Sequence, residues 1–119
     1  MQICMLNRKI HRAVITQTDL YYVGSITIDK DLMDAVGLFA FEKVEIFDLQ
    51  NGNRFETYVI EGERGSGIIG INGAAARLVH IGDEVIIVSY AYLDEKEIPS
   101  HKPKIVVVDK ENKVVESKI

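Results

Sequence analysis

The stretch KVEIFDLQNGNRFETYVI, residues 43–60, decides the fold class. Its first seven residues alternate polar and apolar side chains with the period of two expected of a half-buried strand. Asn51-Gly52 follows as the strongest local hairpin signal in the chain, because these residue types accept the positive φ that a tight strand-to-strand turn requires. Residues 54–60 read as the return strand. Their alternation puts Phe55, Thr57 and Val59 on one face and Arg54, Glu56, Tyr58 and Ile60 on the other.

Working outward, residues 10–18 are rich in β-branched side chains and read as a strand, as do residues 23–28, where Gly24 sits inside the run as a bend or bulge signal. Asp29 is placed to cap a short helix with Leu32, Met33 and Val36 as its apolar face and Gly37 as its stop. Downstream come a glycine-rich loop, GERGSG at residues 62–67, a short strand at 68–71, and an alanine-led helical turn at 74–79. Strands follow at 84–92 and 104–109, with 113–116 as an added edge and the polar segment 94–103 as a surface loop. Residues 32–49 (LMDAVGLFAFEKVEIFDL) and 74–91 (AAARLVHIGDEVIIVSYA) both run helix, turn, apolar strand, an internal echo that suits a barrel with pseudo-twofold symmetry. With 119 residues and no linker or low-complexity segment, the chain reads as one mainly β domain, a small closed β-barrel with short helices.

Composition excludes several classes. The hydrophobic fraction is 47% and the charged fraction 27%, so the chain has the means to bury a core. A net charge of −4 argues against a nucleic-acid backbone as partner. The one cysteine, Cys4, cannot close an intrachain disulfide and fits a reducing, cytoplasmic setting. Apolar runs such as residues 85–88 are too short to span a membrane, and Asn7, Arg8, Lys9, His11 and Arg12 interrupt any signal-peptide core. The three histidines, His11, His80 and His101, are scattered, so no metal site is expected. The GERGSG loop lacks the lysine and spacing of a phosphate-binding loop and reads as a tight connection between strands.

Gly24-Ser25 offers chemistry. A serine hydroxyl can attack the preceding carbonyl when the peptide is strained and a donor stabilises the oxyanion. The amide becomes an ester, β-elimination splits it to leave dehydroalanine, and hydrolysis yields a pyruvoyl group. Glycine before the serine adds no Cβ to obstruct the attack. The dipeptide alone decides nothing, because Gly65-Ser66 repeats it.

The surrounding strings do decide. Lys9-Ile10-His11-Arg12, Asp19-Leu20-Tyr21-Tyr22-Val23-Gly24-Ser25, Asn51-Gly52-Asn53-Arg54-Phe55-Glu56-Thr57-Tyr58, Gly62-Glu63-Arg64-Gly65-Ser66-Gly67, Ile71-Asn72-Gly73-Ala74-Ala75-Ala76 and Gly82-Asp83 stand in this order. Together, across residues 1 to about 109, they closely resemble the pyruvoyl-dependent aspartate 1-decarboxylase family. The resemblance implies a six-stranded double-psi β-barrel and a homotetramer with sites at subunit boundaries. It also implies self-cleavage between Gly24 and Ser25, giving residues 1–24 and 25–119. The implied activity is decarboxylation of L-aspartate to β-alanine and CO2, for pantothenate synthesis, through a Schiff base to a pyruvoyl group made from Ser25. Neither a metal nor pyridoxal phosphate is then needed.

By the same resemblance Tyr58 is the proton donor and Arg54 holds a substrate carboxylate, for which a guanidinium supplies two parallel charge-assisted hydrogen bonds. Thr57 supports processing and orients the site, although strand alternation sets it on the face opposite Arg54 and Tyr58; a bulge or a subunit boundary would reconcile them. Asn72, Gly73, Ala74 and Ala75 form the substrate-binding segment, with Lys9 and Tyr22 as supporting residues. Val23 stands where some relatives carry an acidic residue and Arg77 where histidine is frequent, which leaves open a helper protein for maturation. Two other readings stand beside this one: a double-psi barrel used as a non-catalytic binding module, and a pyruvoyl decarboxylase of another amino acid.

Overall fold

A computed structural model describes residues 1–118; Ile119, the last residue of the expected domain, lies outside the described residues. In chain order the strands are β1 (Gln2–Val14), β2 (Gln17–Asp19), β3 (Ser25–Asp29), β4 (Lys43–Asp48), β5 (Arg54–Gly62), β6 (Ile69–Asn72), β7 (Glu84–Asp94), β8 (Lys104–Val108) and β9 (Val114–Lys118). The α-helix α1 (Lys30–Val36) follows β3, and 3-10 turns occupy Gly73–Leu78 and Ile98–Ser100. The fold is mainly β, as the alternation requires.

The central hairpin forms where Asn51-Gly52 places it. β4 and β5 pair antiparallel from Lys43↔Tyr58 to Phe47↔Arg54 without a register shift. Gly52 takes φ 76°, its N–H bonds the Asp48 carbonyl at 2.9 Å, and the Asp48 carboxylate receives the Gln50 N–H at 2.8 Å. The loop also reaches outward: the side-chain amides of Asn51 and Asn53 both donate to the Leu78 carbonyl, at 3.0 and 2.8 Å. That ties the hairpin tip to the 3-10 turn Gly73–Leu78.

Helix α1 is built as its sequence predicts. The Asp29 side chain caps the Asp31 N–H, Gly37 ends the helix at φ 85°, and Leu32, Met33 and Val36 are buried. They join a core whose fully buried members include Ile10, Ile26, Ile28, Ile46, Ile71 and Ile87.

The sheet corrects the expected strand count. Among the described residues nine strands, not six, lie in the order β2-β6-β3-β5-β4-β7-β1-β8-β9. The excess sits at the two ends: three-residue β2 at one, and the β8–β9 hairpin at the other, where β9 is exposed along its whole length. β2 and β9 form because a neighbour offers unpaired backbone groups, whereas β8 also buries Val106 and Val108 in the core. No pairing joins β2 to β9 among the described residues, so hydrogen bonds do not close the sheet into a barrel. β1·β8, β2·β6 and β3·β5 are parallel pairs within an otherwise antiparallel ladder.

Several boundaries also differ, most of them by one or two residues. The first strand begins at Gln2, because β7 supplies partners as far as Gln2↔Asp94 even where the side chains do not alternate. It stops at Val14, since Ile15 turns its N–H to the Asp83 carbonyl and Thr16 to that of Ile69, each at 2.9 Å. The strand expected over 23–28 begins at Ser25, leaving Val23 and Gly24 outside the ladder. The internal echo has a counterpart: β3, α1 and β4 repeat as β6, the 3-10 turn and β7, and like strands pair, β3 with β6 and β4 with β7.

Candidate functional site

β3 opens on Ser25, and the register sets Ser25 opposite Asn72, the last residue of β6. Val23, two residues earlier, is exposed, whereas Ser25 is only 1% exposed. The cleavage candidate therefore straddles the point where the chain enters the sheet. Ser25 Oγ donates to the Val23 carbonyl at 3.1 Å. Asn72 Nδ2 donates to Ser25 Oγ at 3.0 Å and to Thr27 Oγ1 at 3.0 Å. This diagonal reach is open because Thr27 faces Gly70, which presents no side chain.

Gly73 holds the next strand of backbone against this point. It has φ 77°, and a Cβ there would lie 2.7 Å from Gly24 Cα. Only glycine accepts both the conformation and the approach. At Gly24 itself an added Cβ would meet only the Asn72 carbonyl oxygen at 3.9 Å. Resting packing thus leaves position 24 free and does not itself demand glycine there. The Tyr22 carbonyl oxygen also approaches Gly73, while the Tyr22 side chain is half exposed. A cleft of about 250 Å³ beside these groups is lined by Asp19, Tyr22, Thr27, Ile60 and Asn72 among others.

The remaining candidates divide by distance. β3 pairs in parallel with β5 from Ile26↔Val59 onward, so one step back along both strands sets Tyr58 beside Ser25. Tyr58 is half-buried, its ring centroid 6.4 Å from that of Phe41, and it lines a depression of about 380 Å³ with Lys43, Glu56 and Thr57. Thr57 keeps the opposite face of β5, since no bulge interrupts the ladder with β4. Arg54 is not brought to Ser25: four residues along β5 amount to roughly 13 Å. Its guanidinium lies over the Phe47 ring, 3.8 Å from the centroid. Lys9 stands on β1, separated from β3 in the ladder by β5, β4 and β7. Ala74 is exposed, and Ala75 packs against the core.

Electrostatics across the sheet follow burial and neighbours. Burial, then the positive charges of Lys9 and Arg12, push His11 below its usual pKa. Lys43 pairs with Glu56 across the hairpin, which raises the lysine's pKa. Among the described residues no group of three His, Cys, Asp or Glu side chains converges as a metal set. Sequence reasoning missed Thr27, Lys43 and Glu56. Thr27 carried a signal, since it lies two residues beyond Ser25 and so on the same face of the strand; the other two read as ordinary strand charges.

Comparison with known proteins agrees with this geometry. The family model for aspartate decarboxylase matches residues 1–115. The chain is 57% identical over 118 residues to the aspartate 1-decarboxylase of Acetivibrio thermocellus, covering 99% of this chain and 94% of the relative. It is 60% identical over 110 residues to that of Neisseria meningitidis serogroup C, covering 92% and 87%. Identity to the Bacillus licheniformis aspartate 1-decarboxylase is 56% over 112 residues, covering 94% and 88%. Matches of this extent, on a chain whose Gly24-Ser25 bond meets Asn72-Gly73 at the mouth of a sheet, mean that the chain belongs to the aspartate decarboxylase family.

Proposed function

We propose that this protein decarboxylates L-aspartate to β-alanine and CO2, supplying pantothenate synthesis in the cytoplasm, after cutting its own Gly24–Ser25 bond. The observation that carries the reading is the buried Ser25 hydroxyl, held between the Val23 carbonyl and the Asn72 amide, in a chain of this family. Those groups fit conversion of Ser25 to a pyruvoyl group, because the hydroxyl stands next to a glycine carbonyl that no Cβ screens. Bound at the head of the new chain, that ketone supplies the electron sink that no side chain offers. The three parallel strand pairs support the double-psi arrangement.

The residues then take definite work. Asn72, Gly73, Ala74 and Ala75 form the substrate-binding segment, where the small residues from 73 to 75 let backbone donors approach substrate. Tyr58, beside Ser25 on the neighbouring strand, delivers a proton to the carbon that has lost CO2. Thr57 supports the cleavage and Lys9 attracts carboxylate. Arg54 lies too far along its own strand to serve its own Ser25, so it holds the carboxylate of substrate at a neighbouring copy's site. That requirement supports a homotetramer with sites at subunit boundaries. Tyr21, Phe41 and Tyr92, which are 95%, 78% and 72% exposed, supply apolar surface for such contacts. Val23, exposed at the cut, leaves room for a helper protein that speeds maturation.

The test is intact mass of the purified protein before and after warming, with hydrazine or borohydride trapping of the new chain end and turnover of aspartate against other amino acids. Two fragments split at 24/25, a trapped keto group and β-alanine production are expected. A single uncut species, with or without a helper, rejects the reading.

A further inference from the structure

The Asn72 carboxamide has two N–H donors, and both are committed, one to Ser25 Oγ and one to Thr27 Oγ1, each at 3.0 Å. A free carboxamide can turn over and present its oxygen instead. Ser25 Oγ spends its own proton on the Val23 carbonyl and so can only accept, which sets nitrogen toward it, and Thr27 Oγ1 takes the second N–H and holds the amide in that pose. From these distances we propose that Thr27 is a positioning residue for maturation: it holds the Asn72 amide with nitrogen, not oxygen, toward Ser25 Oγ. The proposal rests on the self-cleavage reading above.

The chemistry says where that donor matters. In the first step Ser25 Oγ bonds to the Gly24 carbonyl carbon, the Gly24 C–Ser25 N bond breaks, and the hydroxyl proton passes to the departing nitrogen. In the second step the Ser25 Cα loses its proton and the Cβ–Oγ bond breaks, with the electron pair going to Oγ. That oxygen leaves as part of the Gly24 carboxylate; water then hydrolyses the enamine and ammonia departs. Negative charge therefore accumulates on Oγ in the second step, where a fixed N–H donor stabilises it and a carbonyl oxygen would repel it. The local fold is arranged for this reach. Thr27 and Ser25 share one face of β3, Asn72 lies across from Ser25, and Gly70 leaves the place across from Thr27 vacant. The Thr27 methyl packs toward Gly62, so a valine of the same shape can take its place.

The experiment follows maturation of the full chain by intact mass at several times after purification, for the parent, Thr27→Val and Thr27→Ser, with hydroxylamine added to cleave any ester. Thr27→Val is expected to slow appearance of the keto fragment by about tenfold, the weight of one hydrogen bond, and to accumulate a hydroxylamine-sensitive ester. Thr27→Ser keeps the acceptor and stays within about threefold of the parent. Should Thr27→Val not fold, Thr27→Ala removes the same acceptor and is read the same way. A keto fragment forming at the parental rate in Thr27→Val overturns the proposal. So does slowing without trapped ester, which is the outcome of a merely structural role. A parent that is never cut defeats the cleavage reading itself, whereas a parent that is cut while Thr27→Val keeps pace defeats only the role of Thr27.

Discussion

Ser25 and Ser66 each follow a glycine, and folding puts them in opposite surroundings. Ser25 is buried at the head of β3, its oxygen receives a side-chain amide, and a second backbone crowds the preceding residue through Gly73. Ser66 lies exposed in the GERGSG turn, where its Oγ donates to the Glu63 carbonyl at 2.6 Å and accepts from the Ile68 N–H at 3.2 Å. Gly65, with φ 80°, is there for the turn. Its N–H and that of Gly67 are clamped by the buried Asp29 carboxylate, at 2.9 and 2.8 Å. The same dipeptide is thus an exposed turn in one place and a buried strand entry, the proposed point of cleavage, in the other. Both oxygens receive an N–H; what separates them is desolvation and a strand register that fixes Ser25 against its donor.

The largest effect expected from this contrast falls on Ser25. Ser25→Ala should fold, stay whole by intact mass and show no decarboxylation above background, because the hydroxyl that the proposed cut requires is gone. Decarboxylation by this uncut variant would break the contrast outright. Tyr58→Phe comes next. It should be cut as the parent is, yet lose about a hundredfold or more in turnover, the usual weight of a positioned proton donor. Turnover at the parental level would assign the proton to another group and leave Tyr58 as a wall residue beside Phe41.

The contrast was only partly legible in the sequence. The hairpin at Asn51-Gly52 and the helix from Asp29 to Gly37 announce themselves, because capping and turn chemistry are local and each residue speaks for its own backbone. The strand at residues 2–9 does not, because its pairing is supplied by β7 and its side chains carry no alternation. Burial of Ser25 and exposure of Ser66 are equally hidden: both follow glycine, and only the β3–β6 register, set by residues 47 positions apart in the case of Asn72, distinguishes them. Family likeness supplied Arg54 and Tyr58 together, and the strand reading already set them four residues apart, but only the β3–β5 register shows which of the two lies beside Ser25.

Asp29 sharpens the comparison from the other side, since it belongs to the clamp on the second pair. Asp29→Asn keeps one acceptor but sets an amide N–H₂ against the Gly67 N–H. It should cost about 1–3 kcal/mol in denaturant unfolding while leaving the cut at 24/25 intact. The parent's acid sensitivity follows. Burial opposes the charge on Asp29, but N–H donors from Gly67, Gly65 and Asp31, with Lys113 nearby, outweigh it and hold its pKa below the ordinary value of 3.8. A carboxylate with a depressed folded pKa contributes stability above its unfolded pKa and loses that contribution as pH falls through the folded value. The stability gap between parent and Asp29→Asn should therefore narrow on acidification below pH 3.8. A gap that holds constant across that range would remove Asp29 from the clamp.

Ser66→Ala is the smallest change and the strictest control. It deletes both hydrogen bonds of the exposed hydroxyl, but the Glu63 carbonyl and Ile68 N–H that lose a partner lie where water replaces it. The expected cost is under about 1 kcal/mol in the same unfolding measurement. Asp29 still holds Gly65 and Gly67, so the turn keeps its shape. Cleavage at 24/25 should run at the parental rate, with no fragment ending at Gly65 in either protein. A slower cut in Ser66→Ala would mean that the turn communicates with Ser25 along β3, whose far end is Asp29. The two Gly-Ser pairs would then be two ends of one device.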